Sequence, residues 1–310
     1  MHDSDPDIPV YARWKGLADR IALQDWPSAT LYVVATPIGN LGDFTLRAQH
    51  ALRIVDIIAA EDTRSSRQLL DAWGVSTPLM AAHQHNEAQA AQKIIQRLQR
   101  GERVALISDA GAPGVSDPGA RIVNEVRAAG YRVVPLPGPS AVIAALMAAG
   151  VTSDENPAFV FAGFAPSKAG TRRTWLQQWS ALGMPVVIYE SPHRLAATLD
   201  QLQSLCGDSR RITIARELTK RFEQVETLPL GQVAQWLQAD PHRAQGEFVL
   251  ILHEQAPAPD AGVDASVLSL MDALLDNVSV RDAVKVAVRV TGLPRDQLYA
   301  LALERSAGGD

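Results

Sequence analysis

The sequence predicts an α/β fold in two domains, followed by a small all-helical module at the C-terminal end. Three observations predict it. From Leu31 onward, short β-branched runs alternate with stretches of helical period. After Gly150 that rhythm changes across a polar, proline-ended stretch, Val151 to Pro157. Beyond Gln255 an Ala/Pro linker leads into three short helical periods.

Taken in order, residues 1–29 fall outside the rhythm and receive no role. Residues 30–150 form the first domain. Its strands are expected at Leu31–Ala35, Ile57–Ala60, Pro78–Ala82, Val104–Ser108 and Arg132–Leu136. Helices are expected near Thr45–Val55, Ser65–Trp73, from an Asn86 cap to about Arg100, and from Gly119. Strand and helix in strict alternation imply a mostly parallel sheet covered on both faces. Residues 151–255 form the second domain, with strands near Phe159–Phe161, Pro185–Tyr189, Ile212–Arg216, Gln224–Leu228 and Glu247–His253. Two of these in succession, Ile212–Arg216 and Gln224–Leu228, predict a hairpin and hence a mixed sheet.

Residues 256–310 hold the linker and three helices: Ser266–Leu275, a second capped by Ser279 with Asp282 and ended at Thr291-Gly292, and a third from Pro294 to about Leu303. Their spacing resembles a helix-turn-helix unit. A helical cap or dimer element is the preferred reading, because the third helix has only Arg295 as a cation before Arg305.

The 310 residues are 47% hydrophobic and 20% charged, with 29 Lys and Arg against 34 Asp and Glu, for a net charge of −5. This excludes a disordered polyelectrolyte and a chain that is basic throughout. One cysteine, Cys206, allows no internal disulfide and fits a reducing compartment. The longest dense apolar run, Ala141 to Val151, is too short to span a bilayer, and the N-terminal stretch has no signal-peptide pattern. The expectation is a cytoplasmic protein with no membrane segment.

Three Gly/Pro-rich loops follow predicted strands, where open α/β sheets place ligands: Thr36–Asp43, Ser108–Gly119 and Leu136–Ala141. None matches a P-loop or a dinucleotide fingerprint. None carries a basic residue, so they suit a small ligand held by backbone groups and one or two carboxylates. Asp109 is the natural carboxylate, or a loop cap. Two further clusters sit at strand ends, Glu61-Asp-Thr-Arg64 and Glu190-Ser-Pro-His-Arg194. Local capping and ion pairing are the structural alternative for both. Between Phe164 and Arg221 nine Lys and Arg face four acids, a local excess of five positive charges. That is the footprint of a polyanionic partner, or of an ordinary solvated surface.

Together these segments resemble the tetrapyrrole methylase superfamily, the S-adenosylmethionine methyltransferases without a Rossmann fold. The resemblance rests on Ala35–Asp43, Ala60–Arg64, Ser108–Gly119, Pro137–Ala141, Phe161–Phe164, Tyr189–Arg194, Arg216–Lys220 and Gly246–Val249, and it covers roughly Thr30 to Leu303. Porphyrin methylases usually carry Gly-Asp-Pro where this chain has Ser108-Asp-Ala-Gly, and they lack the two carboxylate–arginine clusters. Those departures tilt the substrate away from tetrapyrrole and toward RNA, and the same motifs more closely resemble the branch that methylates a cytidine 2′-hydroxyl of 16S ribosomal RNA.

The resemblance implies a homodimer of two-domain subunits, S-adenosyl-L-methionine in the interdomain cleft, 16S rRNA or the 30S subunit as partner, and no metal. It implies cofactor contacts at Pro37, Asp109, Ala110, Gly111, Ser140, Ala141 and Tyr189. Candidate bases for the hydroxyl proton are Asp62, Glu190 and His193. Arg64 and Arg194 are expected to hold flanking phosphates, with Lys168, Arg172 and Arg173 farther out. The rivals are a tetrapyrrole methyltransferase of the same superfamily and a non-catalytic nucleic-acid-binding protein using the C-terminal helices.

Overall fold

Each strand of the first sheet alternates its side chains between two cores, and this alternation sets the layering. Tyr32, Val34, Ile58, Ala60, Ala105 and Ile107 face one cluster; Leu31, Ile57, Ala59, Val104 and Leu106 face the other. A sheet apolar on both faces must be covered on both faces. The computed structural model, which describes residues 10–254 and 265–307, shows this arrangement. In chain order the elements are α1 (Val10–Ala22), β1 (Thr30–Val34), α2 (Leu46–Ile54), β2 (Ile57–Ala60), α3 (Thr63–Ala72), β3 (Leu79–Ala81), α4 (Glu87–Gln99), β4 (Val104–Ile107), α5 (Ala120–Ala128), β5 (Arg132–Leu136) and α6 (Ala141–Ala149). The sheet order is β3-β2-β4-β1-β5, all parallel.

The helices form where spacing and caps agree. In α4, Ala90, Ala91, Ile94, Ile95 and Leu98 recur on one buried face. Asn86 stands at the cap position but makes no cap hydrogen bond; its side chain instead accepts from His83 N and donates to Ala81 O, closing the preceding loop. Glu87 accepts from Gly119 N at 2.6 Å, tying α4 to the start of α5.

The N-terminal segment, which the sequence left without a role, contributes to the first core. Ile21 and Trp26 are buried there, and the Trp26 indole donates to Ile21 O. Arg103 Nε donates to Trp26 O at 2.9 Å, and the Arg47 guanidinium lies over the Trp26 ring.

The second sheet follows with β6 (Val160–Phe164), α7 (Ala169–Ser180), β7 (Val186–Glu190), α8 (Leu195–Cys206), β8 (Arg211–Arg216), β9 (Gln224–Pro229), α9 (Leu230–Gln238) and β10 (Phe248–Leu252). Its order is β6-β7-β10-β8-β9; only β6–β7 is parallel, and β8–β9 is the expected hairpin. One face packs on its own helices through Val186, Ile188, Ile212, Ile214 and Leu250. The other, with Val187, Ala215, Val249 and Ile251, packs on Val142 and Ala145 of α6. The last helix of the first half is thus a covering layer of the second sheet, and residues through Glu254 form one compact unit.

The described residues 265–307 belong to a second unit. It contains α10 (Ala265–Leu275), α11 (Val280–Thr291) and α12 (Arg295–Ala307) around Met271, Ala283, Val284, Ala287, Leu298 and Ala302. Ser279 caps α11 by accepting from Asp282 N, and its hydroxyl donates to the Asp282 carboxylate at 2.7 Å. Among the described residues no helix is long and apolar enough to cross a membrane.

Candidate functional site

The loops after β1, β4 and β5 meet at the C-terminal edge of the first sheet, and packing of α6 on the second sheet brings the end of β7 against them. Thr36 and Gly111 lock two of these loops together by a reciprocal backbone pair, Thr36 N to Gly111 O at 2.9 Å and Gly111 N to Thr36 O at 3.0 Å. Gly111 holds φ +84°, and a Cβ there would stand 3.4 Å from Ile38 Cγ2 and 3.8 Å from Pro139 O. Glycine therefore keeps the wall thin and the backbone reachable.

These loops enclose a cavity of ≈ 310 Å³, the scale of a small-molecule site. One wall is Ala110, Gly111, Ser140 and Ala141; the facing wall is Phe164, Tyr189, Ser191 and Pro192, with Leu218 and Val249 beside them. Tyr189 is packed edge-on between Phe161 and Phe164, with ring centroids 4.9 and 5.2 Å away. Burial and the nearby Asp117 charge push its hydroxyl up to about 12, against a hydrogen bond from the Val142 backbone. The phenol therefore stays neutral at physiological pH.

Among the described residues, the lining includes the carboxylates Asp117, Glu190 and Glu247 and no lysine or arginine. Asp117 follows Ser116, whose φ of +61° is unusual for a residue with a side chain. The Ser116 Oγ would lie 3.6 Å from a Cβ on Gly163, so the bent loop abuts β6. Burial pushes the Asp117 carboxyl above its ordinary range; the Ser108 hydroxyl opposes this and the Asp109 charge adds to it. Glu61, at the end of β2, is also raised, by burial and then by Asp109 and Asp117.

Glu190 is the opposite case. Its side chain is 0% exposed. Oε1 accepts from Ser191 N at 2.7 Å and Arg194 Nε at 2.9 Å, and Oε2 accepts from Thr198 Oγ1 at 2.5 Å. A carboxylate so occupied anchors the start of α8. Glu190, a candidate base from the sequence, is thus engaged by donors of the fold. Asp62 is the N-cap of α3, accepting from Arg64 N and Ser65 N, and those bonds lower its carboxyl.

Of the residues that the resemblance implies as cofactor contacts, Ala110, Gly111, Ser140, Ala141 and Tyr189 line the cavity. Pro37 does not; its neighbour Ile38 does. Asp109 is not among the lining residues; it is exposed and accepts from Asp62 N at 3.1 Å. Of the two strand-end clusters, only Glu190–Pro192 reaches the cavity, while Glu61–Arg64 connects to it through Asp109. His193 is exposed just beyond Pro192. Asp117 was missed because Asp-Pro-Gly ahead of a helix reads as capping sequence; the second carboxylate in a loop already chosen for its ligand character was the available signal.

The basic stretch is not one face. Arg172 is only 4% exposed, and its guanidinium bonds Gln201 Oε1 and the carbonyls of Pro166 and Ser167. Its expected contact with RNA is corrected: the group holds α7 to α8 from inside. Arg210 and Arg216 are buried as well. Arg194 binds Glu190 through Nε at 2.9 Å and Nη2 at 2.8 Å, with its side chain 28% exposed. Arg64, Lys168 and Arg173 remain exposed.

Comparison with known proteins adds the following. Residues 30–234 match the Tetrapyrrole (Corrin/Porphyrin) Methylases, and residues 261–306 match the RsmI C-terminal HTH domain. Ribosomal RNA small subunit methyltransferase I of Pseudomonas aeruginosa is 45% identical over 279 residues, spanning 90% of this chain and 98% of that protein. The protein of the same name from Escherichia coli O157:H7 is 42% identical over 275 residues, 89% of this chain and 95% of that one. Among solved structures, diphthine synthase superposes with a TM-score of 0.55 at 12% identity, covering 72% of this chain and 89% of that one. The methyltransferase CobJ gives 0.54 at 20% identity, covering 73% and 94%. These two likenesses establish the fold alone.

Proposed function

We propose, for this chain, which belongs to the ribosomal RNA small subunit methyltransferase I family of the tetrapyrrole methylases, transfer of a methyl group from S-adenosyl-L-methionine to the 2′-hydroxyl of a cytidine ribose in 16S ribosomal RNA. The reading includes a homodimer acting in the cytoplasm on the small subunit or its RNA. The observation that carries the cofactor part is the cavity wall: bare backbone at Ala110–Gly111 and Ser140–Ala141, carboxylates, and no cation. Such a wall suits a ligand bearing sulfonium and ammonium charge and disfavours a polyphosphate. When bound there, S-adenosylmethionine supplies a methyl group activated by its positive sulfur.

In this reading the backbone of Gly111 and the start of α6 hold and orient the ligand, and the Tyr189 ring forms the apolar side. Alignment of the hydroxyl oxygen with the methyl group is the largest task of such a site. Asp117 is the residue we assign to take the proton that the ribose hydroxyl loses as its oxygen is methylated. It lines the cavity, and its raised carboxyl is a better acceptor than the capped Asp62. The exposed Arg64, Lys168 and Arg173 are left to meet phosphates outside. Nucleoside analysis of rRNA from cells lacking the protein tests the whole reading. Loss of a single 2′-O-methylcytidine is the expected result, and an unchanged nucleoside profile refutes it.

A further inference from the structure

A second concavity of ≈ 640 Å³ lies at the β8–β9 end of the second sheet, lined by Arg216, Arg221, Phe222, Gln224, His242 and Gln245, among others. Phe222 is 65% exposed, an unusual position for a phenylalanine in a rigid turn. The turn is held from below. Buried Arg216 donates from Nη1 to Phe222 O at 3.1 Å and from Nε to Gln245 O at 2.7 Å. Glu217 and Thr219 of the same turn adopt φ of +51° and +67°, a conformation that costs free energy and persists only where surroundings impose it.

The acids of the concavity are engaged within the fold. Asp240 Oδ1 accepts from His242 N, and Glu223 Oε2 accepts from Thr219 N. Arg221, by contrast, is exposed, with its guanidinium 5.5 Å from the Phe222 ring centroid. An exposed phenylalanine ring with a cation over one face, and amide and imidazole groups at the rim, is the chemistry that receives an unstacked nucleotide: the other face of the ring takes the base and the arginine its phosphate.

The concavity is continuous with the cavity by chain. Leu218 lines the cavity and Phe222 the concavity; Glu247 and Phe248 line the cavity and Gln245 the concavity. Lys220 joins the two segments, bonding Glu217 Oε1 and Glu247 Oε2 at 2.8 Å each.

We propose that Phe222 and Arg221 form a stacking subsite for an unpaired nucleotide of the RNA strand that neighbours the methylated one. The proposal rests on the RNA-methyltransferase reading above. Its test uses the full chain and small ribosomal subunits lacking the modification, in single-turnover methyl transfer titrated with substrate. Base–aromatic stacking is worth about 5- to 150-fold in affinity. Phe222→Ala and Phe222→Leu should raise the half-saturating substrate concentration within that range. Phe222→Trp should restore it. The maximal rate and calorimetric S-adenosylmethionine affinity should stay at parental values in all three, and Arg221→Ala should lower the salt slope of RNA binding by about one. Parental half-saturation in both Phe222→Ala and Phe222→Leu overturns the subsite while leaving the RNA reading intact. A loss that follows a changed oligomeric state assigns Phe222 to a protein contact and also overturns it. If the parent itself transfers no methyl group to the subunit, the underlying reading fails, and the subsite with it.

Discussion

Asp117 and Glu190 stand on the wall of the same cavity, yet their surroundings differ in kind. Glu190 ends a central strand and is met by a backbone N–H, an arginine and a threonine hydroxyl. Asp117 rides on a bent loop, with the Ser108 hydroxyl as its donor and another carboxylate, Asp109, close by. A buried charge that is fully hydrogen-bonded builds structure, whereas a buried charge left poorly compensated is poised to bind a proton. The lesson is that proximity to the cavity does not distinguish a reactive carboxylate from a supporting one; the count of donors does.

The largest effect should come from Asp117. Replacing it with Asn should slow single-turnover transfer at saturating cofactor and RNA by roughly 10²–10⁴-fold, the worth of a positioned base. The same variant should melt at a higher temperature at neutral pH. The folded carboxyl sits above its ordinary range, so the folded chain binds that proton more tightly than the unfolded chain does. Stability is therefore lost as pH rises from the ordinary value through the raised one, and Asn restores it. In the parent, transfer should fall off on acidification at a pH above the ordinary aspartate range. A parental rate in Asp117→Asn would erase the proposed contrast between the two carboxylates.

Gly111→Val comes next. It places a β-branched side chain at a positive φ on the ligand-facing wall, and calorimetry should show S-adenosylmethionine affinity reduced by at least about tenfold, roughly 1.4 kcal/mol. Retained affinity would mean that the ligand does not approach this wall.

Glu190→Gln should act on stability. Loss of its charge leaves the Arg194 and Thr198 donors less well satisfied, at about 1–3 kcal/mol, or a melting temperature lower by several degrees. The single-turnover rate of the folded protein should change little. A rate loss like that of Asp117→Asn with an unchanged melt would reverse the two assignments.

The smallest effect separates two arginines that are adjacent in sequence. Arg173→Ala should lower the salt slope of RNA binding by about one without destabilising the chain. Arg172→Ala should leave the slope alone and lower the melting temperature, since its guanidinium is internal. Equal slopes in both variants would remove Arg173 from the RNA surface.

Much of this architecture could be read along the chain. The short β-branched strands, the helical spacing of α4 and the Ser279 cap follow from interactions between residues a few positions apart, so their pattern survives in one dimension. The glycine- and proline-rich loops announced a ligand for the same reason: a close backbone approach requires particular residues at particular places. The division of labour among charged groups could not be read in this way. Whether Arg172 meets solvent depends on Gln201 and on the carbonyls of Pro166 and Ser167. Whether Glu190 is engaged by donors of the fold depends on how α8 starts. Whether Asp117 faces a cavity at all depends on α6 crossing to cover the second sheet. Local pattern places a charge at a strand end, but its solvation and its partners come from segments distant in sequence, and solvation and partners set what a charge can do.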